Sequence, residues 1–349
     1  MDQENYSTYY PGGHITGPTP VPMQQKKTWF EAIVSPLAHV ITSVFYPGNA
    51  GKIDYRYLDR KVSEGKDGYE PQSPDVANYW IKSNAGTTVG LHVYSTDIKP
   101  SSVKKVVLFF HGNTRSPRYM NPFLEDLAGN ERVNGQWLRK NRKRVVIARD
   151  FPGYDLSSRV PYLGGSLETA ATANDMAVYN WVIAKYPNAE ITVVGRSIGT
   201  MGWVNLLPLD RVTRAVAIVP FADPAELVVH VATSKASACY LDYVPGVIFA
   251  LNKVLRAACD VAFPRSREGS SPLVGFSPSA GISAWKLSRN KRILFFAASK
   301  DALVPFGDVE RLARAAELQG AVVEPIVRLR GGHAALPTGN DLKSLQDFL

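Results

Sequence analysis

The sequence predicts an α/β fold: a mostly parallel central sheet with helices on both faces and a helical cap insert. Three observations predict it. Apolar runs of strand length recur at Lys105–Phe110, Arg144–Arg149, Glu190–Val194, Ala215–Val219 and Ile293–Ala298. Stretches with helical periodicity separate them, at Met120–Ala128, Leu167–Lys185, Thr200–Leu207 and Phe306–Leu318. The runs are apolar nearly throughout rather than alternating, the pattern of strands covered on both faces.

Taken in order, residues Met1 to Lys27 read as an extended arm, because Gly12, Gly13, Gly17, Pro18, Pro20 and Pro22 sustain neither helix nor strand. The stretch has no apolar centre, so it is not a secretory signal, and an intracellular location is expected. Trp29 to Tyr46 places Phe30, Ile33, Val34, Leu37, Val40, Ile41, Val44 and Phe45 on one helical face. Two readings stand. The helix docks on the body, or, with Lys26 and Lys27 before it, residues 26–46 make a peripheral membrane contact. Residues 1–50 are thus an arm with an amphipathic helix, and 51–349 a single main domain.

Within that domain, Tyr79–Lys82 and Thr87–Tyr94 alternate around Asn84-Ala85-Gly86, which predicts a hairpin. The run Lys105–Phe110 enters His111-Gly112-Asn113, and Arg144–Arg149 ends in Asp150-Phe151-Pro152-Gly153-Tyr154. The alternation lapses between about 221 and 275, an insert with helical patterns at Pro224–Ser234 and Pro245–Ala262. It resumes with Ile293–Ala298, a helix at Phe306–Leu318, a strand at Ala321–Arg328 and a helical tail.

The composition excludes several classes. With 45% hydrophobic and 20% charged residues, the 349-residue chain is globular rather than disordered and can bury a sizeable core. Its formal charge of +9 reads either as a solvated basic surface or as affinity for an acidic partner. No basic run is interleaved with aromatics, so there is no nucleic-acid motif. Cys239 and Cys259, the 2 cysteines, form neither a disulfide framework nor a zinc pattern. No uninterrupted apolar run reaches membrane-spanning length. No glycine-rich phosphate loop follows a strand and no metal cluster is evident, so neither cofactor nor metal is expected.

The chemistry concentrates at Gly195-Arg196-Ser197-Ile198-Gly199, where strand passes to helix. Such a turn lifts the Ser197 hydroxyl clear of the sheet, and side chains at Gly195 or Gly199 would clash. Acyl transfer by serine further needs a base, a group to orient it, and donors for the oxyanion. Of 6 histidines, His333 is the candidate base, in the glycine-lined loop after the last strand. His14, His39, His92 and His230 lie in the arm, the amphipathic helix, a strand and the insert. Asp301, after Ile293–Ala298, is the candidate acid, and Asp223, after Ala215–Val219, is its rival. The order Ser197, Asp301, His333 is that of α/β-hydrolases rather than of chymotrypsin-like or subtilisin-like enzymes. The oxyanion donors are the Ile198 and Asn113 N–H groups. Gly112 shapes the Asn113 loop, and His111 is a structural hydrogen-bonder beneath it.

Together Phe109-Phe110-His111-Gly112-Asn113, Asp150-x-x-Gly153-Tyr154, Gly195-Arg196-Ser197-Ile198-Gly199, Lys300-Asp301-x-x-Val304-Pro305 and Gly332-His333 resemble the α/β-hydrolase superfamily. The resemblance is to the branch with a His-Gly-Asn oxyanion motif, which includes protein depalmitoylases, lysophospholipid lipases and esterases. It departs in two places. Asp155-Leu156-Ser157 stands where those relatives usually continue Gly-x-Ser, and their cysteine-rich N-terminal segment has no counterpart. The resemblance implies a serine hydrolase acting on a small-molecule or lipid-like acyl substrate, an ester or thioester. An amidase or serine aminopeptidase on the same residues, and a hydrolase fold retained as a structural or binding component, are the alternatives. The insert's stripe of Val247, Ile248, Leu251, Leu255 and Ala258 suits an acyl chain or the packing of a cap on its body.

Overall fold

The computed structural model describes residues 76–94, 98–113, 116–133, 136–139, 143–158, 165–238, 253–258, 278–284, 287 and 290–349. The arm, the amphipathic helix, Val247, Ile248 and Leu251 lie outside them.

Among the described residues a 9-stranded sheet runs in the order β1-β2-β6-β3-β7-β8-β9-β10, with β11 also on β9. The strands are β1 Val76–Lys82, β2 Thr88–Tyr94, β3 Lys105–Phe110, β6 Arg144–Arg149, β7 Glu190–Arg196, β8 Val212–Ile218, β9 Arg292–Ala298, β10 Val322–Val323 and β11 Val327–Leu329. β1 and β2 form the expected antiparallel hairpin, with Gly86 at φ 73 in its turn, and β2 runs antiparallel to β6. From β6 onward neighbouring strands are parallel.

Because successive side chains leave a strand on opposite faces, β3 feeds two separate cores. Val106, Leu108 and Phe110 join one; Val107 and Phe109 join the other. The first is covered by α2 (Gly165–Lys185), α3 (Gly199–Val204) and α6 (Phe306–Leu318), and the second by α1 (Asn121–Ala128) and α7 (Asn340–Phe348). Both faces are therefore dry. That is why the strands read as continuous apolar runs.

The structure departs from the sequence expectation in two strand regions. The stretch expected as one strand, Ala321–Arg328, is divided. Val323 pairs with Ile293 and Val327 with Phe296, so four residues advance along one strand where three advance along β9. Pro325 sits in this interruption; lacking an N–H, it cannot extend the ladder. The second departure is a small hairpin after α1, β4 Asn130–Val133 against β5 Gln136–Arg139, which hydrophobic periodicity did not signal. Gly129, left-handed at φ 81, ends α1 and turns the chain into it.

The insert opens with α4 (Pro224–Ala238). Asp223 caps it, its Oδ1 accepting the N–H groups of Ala225 at 2.8 Å and Glu226 at 3.2 Å. Farther on, residues 253–258 are helical, and Ala258 is fully buried in the first core. At least this end of the apolar stripe packs onto the body. A short helix, α5 (Pro278–Ala284), then returns the chain to β9.

Candidate active site

The strand order reverses at β3. The chain leaves β3 for β6 on one side and then crosses to β7 on the other. In open parallel sheets, the crevice beyond the strand ends at such a switch point is where ligands bind. His111-Gly112-Asn113 leaves β3 there, and Ser197 leaves β7 beside it.

The elbow depends on its glycines for space. A Cβ on Gly195 would lie 2.2 Å from Trp203 Cδ1, and one on Gly199 would lie 2.1 Å from the Phe110 carbonyl oxygen. Ser197 itself takes a left-handed φ of 51, held by its N–H donating to Ile218 O at 2.8 Å. Val219 is also left-handed, at φ 47. A β-branched residue there is strained, so two adjoining strand ends carry backbone strain beside the same crevice.

Three side chains from distant segments meet at the elbow. Ser197 Oγ lies 2.8 Å from His333 Nε2, and His333 Nδ1 lies 2.9 Å from Asp301 Oδ2. The carboxylate fixes the proton on Nδ1, so Nε2 presents its lone pair to the serine hydroxyl. Asp301 is fixed in turn, its Oδ1 accepting the N–H groups of Leu303 and Val304, both at 2.9 Å. Burial opposes ionisation of this carboxyl. The His333 and backbone N–H bonds outweigh that cost and hold it below the usual carboxylate range. The Lys300 N–H donates to Gly331 O at 2.8 Å, joining the Asp301 loop to the His333 loop. The rival acid, Asp223, is occupied as a helix cap.

Asn113 lies in the loop that follows β3, and Ile198 immediately precedes α3. Asn113 Oδ1 accepts the Tyr154 hydroxyl at 3.0 Å. His111, fully buried, supports this loop from below. Its Nδ1 donates to Gly112 O at 2.7 Å and its Nε2 accepts the Phe151 N–H at 3.1 Å. Burial pushes this imidazole down to about 4, so it is neutral near pH 7 and suited to one donated and one accepted bond. Phe151 and Tyr154 pack edge-on against it, at 4.7 and 4.9 Å between ring centroids. Sequence reasoning gave no role to Tyr154, Arg196 or Val219. Their parts depend on contacts between segments that periodicity does not report.

The departure at Asp155 has a local cause. Asp155 adopts φ 32, a region where glycine is least strained and aspartate is among the tolerated residues. Its carboxylate is 2.7 Å from Arg118 Nε and 3.5 Å from His92 Nε2, and Asp150 Oδ2 lies 3.1 Å from the same His92 nitrogen. His92, Asp150 and Asp155 could together face a cation. The Arg118 guanidinium already supplies positive charge at Asp155, and the group acts as an ion network fixing the Asp150–Ser157 loop. Ser157 Oγ completes it, accepting the Gly90 N–H at 2.9 Å and donating to Asp150 O at 2.9 Å.

Residues 105–237 match the alpha/beta hydrolase fold family. No curated protein matches the chain in sequence. An esterase of Pyrococcus furiosus superposes with a TM-score of 0.53 at 14% identity, over 83% of this chain and 93% of that one. A thermophilic esterase of the Planctomycetes species Thermogutta terrifontis, solved with butyrate bound, gives 0.50 at 19% identity, over 80% and 95%. The structure of DcsB with its substrate analogue gives 0.51 at 12% identity, over 78% and 97%. The mostly parallel sheet with helices on both faces is thus an α/β-hydrolase fold. Among the described residues, no helix is long and apolar enough to cross a membrane.

Proposed function

We propose that this α/β-hydrolase fold carries a serine hydrolase that cleaves a carboxylic ester or thioester through an acyl-enzyme. The observation that carries the reading is the continuous relay from Ser197 Oγ through His333 to Asp301, at 2.8 and 2.9 Å, at the sheet's switch point. In this reading His333 Nε2 takes the hydroxyl proton as Ser197 Oγ attacks the substrate carbonyl carbon. The carbonyl oxygen becomes an oxyanion facing the Ile198 and Asn113 N–H groups. As the tetrahedral species collapses, His333 returns the proton to the leaving alcohol or thiol, and Ser197 stays acylated. Water, deprotonated by His333, then releases the acid and restores the serine. Asp301 stays ionised throughout and stabilises the imidazolium.

The His-Gly-Asn sequence of the oxyanion loop supports placing the chain in the depalmitoylase, lysophospholipase and esterase branch. A fluorophosphonate probe should label the wild type and fail to label Ser197→Ala. A folded wild type that resists the probe would overturn the proposal. A panel of acyl esters, thioesters and aminoacyl amides separates ester and thioester cleavage from amidase action: preferential turnover of the amides would exclude the ester reading.

A further inference from the structure

We propose that Arg196 is a positioning residue that locks the oxyanion loop to the loop of the base, and that Gly112 is glycine to admit its guanidinium. The inference rests on the reading of Ser197 and His333 as nucleophile and base. Arg196 is the last residue of β7, directly before Ser197. Its half-buried side chain lies between the two loops that complete the site. On one side Nη2 donates to the main-chain carbonyl of His333 at 3.2 Å. On the other, a Cβ added to Gly112 would fall 2.5 Å from Nη1 and 3.6 Å from Cζ.

Gly112 has no left-handed φ that would call for glycine. What a methyl group there would meet first is the Arg196 guanidinium, so it would push the guanidinium from its place rather than strain the backbone. One planar group therefore touches the backbone of the residue before Asn113 and the backbone of His333 itself. Because Arg196 is covalently joined to the nucleophile, the nucleophile, the base and the oxyanion loop share a single spacer. Arginine suits the role because its fork is planar and stays charged at any working pH. Lysine would keep the charge but present a compact ammonium with no flat face for Gly112.

Losing the spacer leaves every reacting group in place chemically but lets the loops drift, and misplacement of about 1 Å can cost on the order of 100-fold in rate. The effect falls on the chemical step, so kcat drops while KM changes little.

The test is a double-mutant cycle of Gly112→Ala and Arg196→Ala, read by fluorophosphonate labelling rate and by Tm, with steady-state kinetics on an ester that the wild type turns over. Arg196→Ala should slow labelling and kcat by on the order of 10- to 100-fold, and millimolar guanidinium ion should restore part of the rate. Arg196→Lys should fall between, and it serves if the alanine variant folds poorly. Gly112→Ala should slow labelling and lower Tm in the wild type, yet cost little of either in the Arg196→Ala background, where the space is open. Wild-type labelling by Arg196→Ala overturns the positioning role, even if the Tm values are non-additive. Equal damage from Gly112→Ala in both backgrounds overturns the claim about space. A folded wild type that the probe never labels overturns the serine reading and the positioning role with it, while the Tm cycle still reports the shared space.

Discussion

Replacing His111 with glutamine tests the claim that this histidine is a neutral structural hydrogen-bonder. The ring is fully buried, donates to Gly112 O and accepts from the Phe151 N–H. Burial pushes it from its ordinary 6.5 down to about 4. Between those values the unfolded chain binds the proton and the folded chain does not, so lowering the pH favours unfolding. The ring's contribution is fully present above about pH 6.5 and falls by about 2–3 kcal/mol by pH 4.5. Asp126 and Asp175, pushed up to about 6 by burial, act with the opposite sign over part of this range. The difference between variant and wild type is therefore the quantity that isolates the ring. Urea denaturation at pH 7.5 should show His111→Gln less stable by about 1–3 kcal/mol, since a substitute fits two buried bonds imperfectly. By pH 4.5 the gap should shrink by about 2–3 kcal/mol or reverse, because only the wild type loses the imidazole contribution. A gap that stays constant from pH 7.5 to 4.5 would refute the account.

The remaining predictions concern the proposed triad and the elbow. Asp301→Asn should lower kcat by on the order of 10⁴-fold through loss of the oriented tautomer, whereas Asp223→Ala should leave kcat unchanged and cost about 0.5–2 kcal/mol as a lost helix cap. The reverse pattern, measured by kinetics and urea melts, would make Asp223 the acid. Gly199→Ala should be destabilised by at least about 1–3 kcal/mol in the same melts, because its methyl group would meet the Phe110 carbonyl at 2.1 Å. A variant as stable as the wild type would mean that the elbow is looser than the structure has it.

Much of the candidate site was legible in the chain. The serine stood out because a strand, two glycines and a helix must adjoin for the turn to form, and all of that is local. His333 and Asp301 were legible through chain order and their places after predicted strands. The preference for Asp301 over Asp223 had only chain position behind it, because both follow strands and both precede a helix. The structure adds a contact between residues 32 apart, His333 to Asp301, while Asp223 accepts the N–H groups of α4.

By itself the sequence determined the alternation of strands and helices, the position of the elbow, and the need for glycine at 195 and 199. Each is a matter of burial period or of backbone room within a few residues. Only the tertiary structure decided the strand order that puts the crevice between β3 and β7, the break at Pro325, the strain at Val219 and the guanidinium of Arg196 against Gly112. These depend on which segments become neighbours. Ser197 and His333, 136 residues apart, meet only because the sheet brings their strand ends to the same edge.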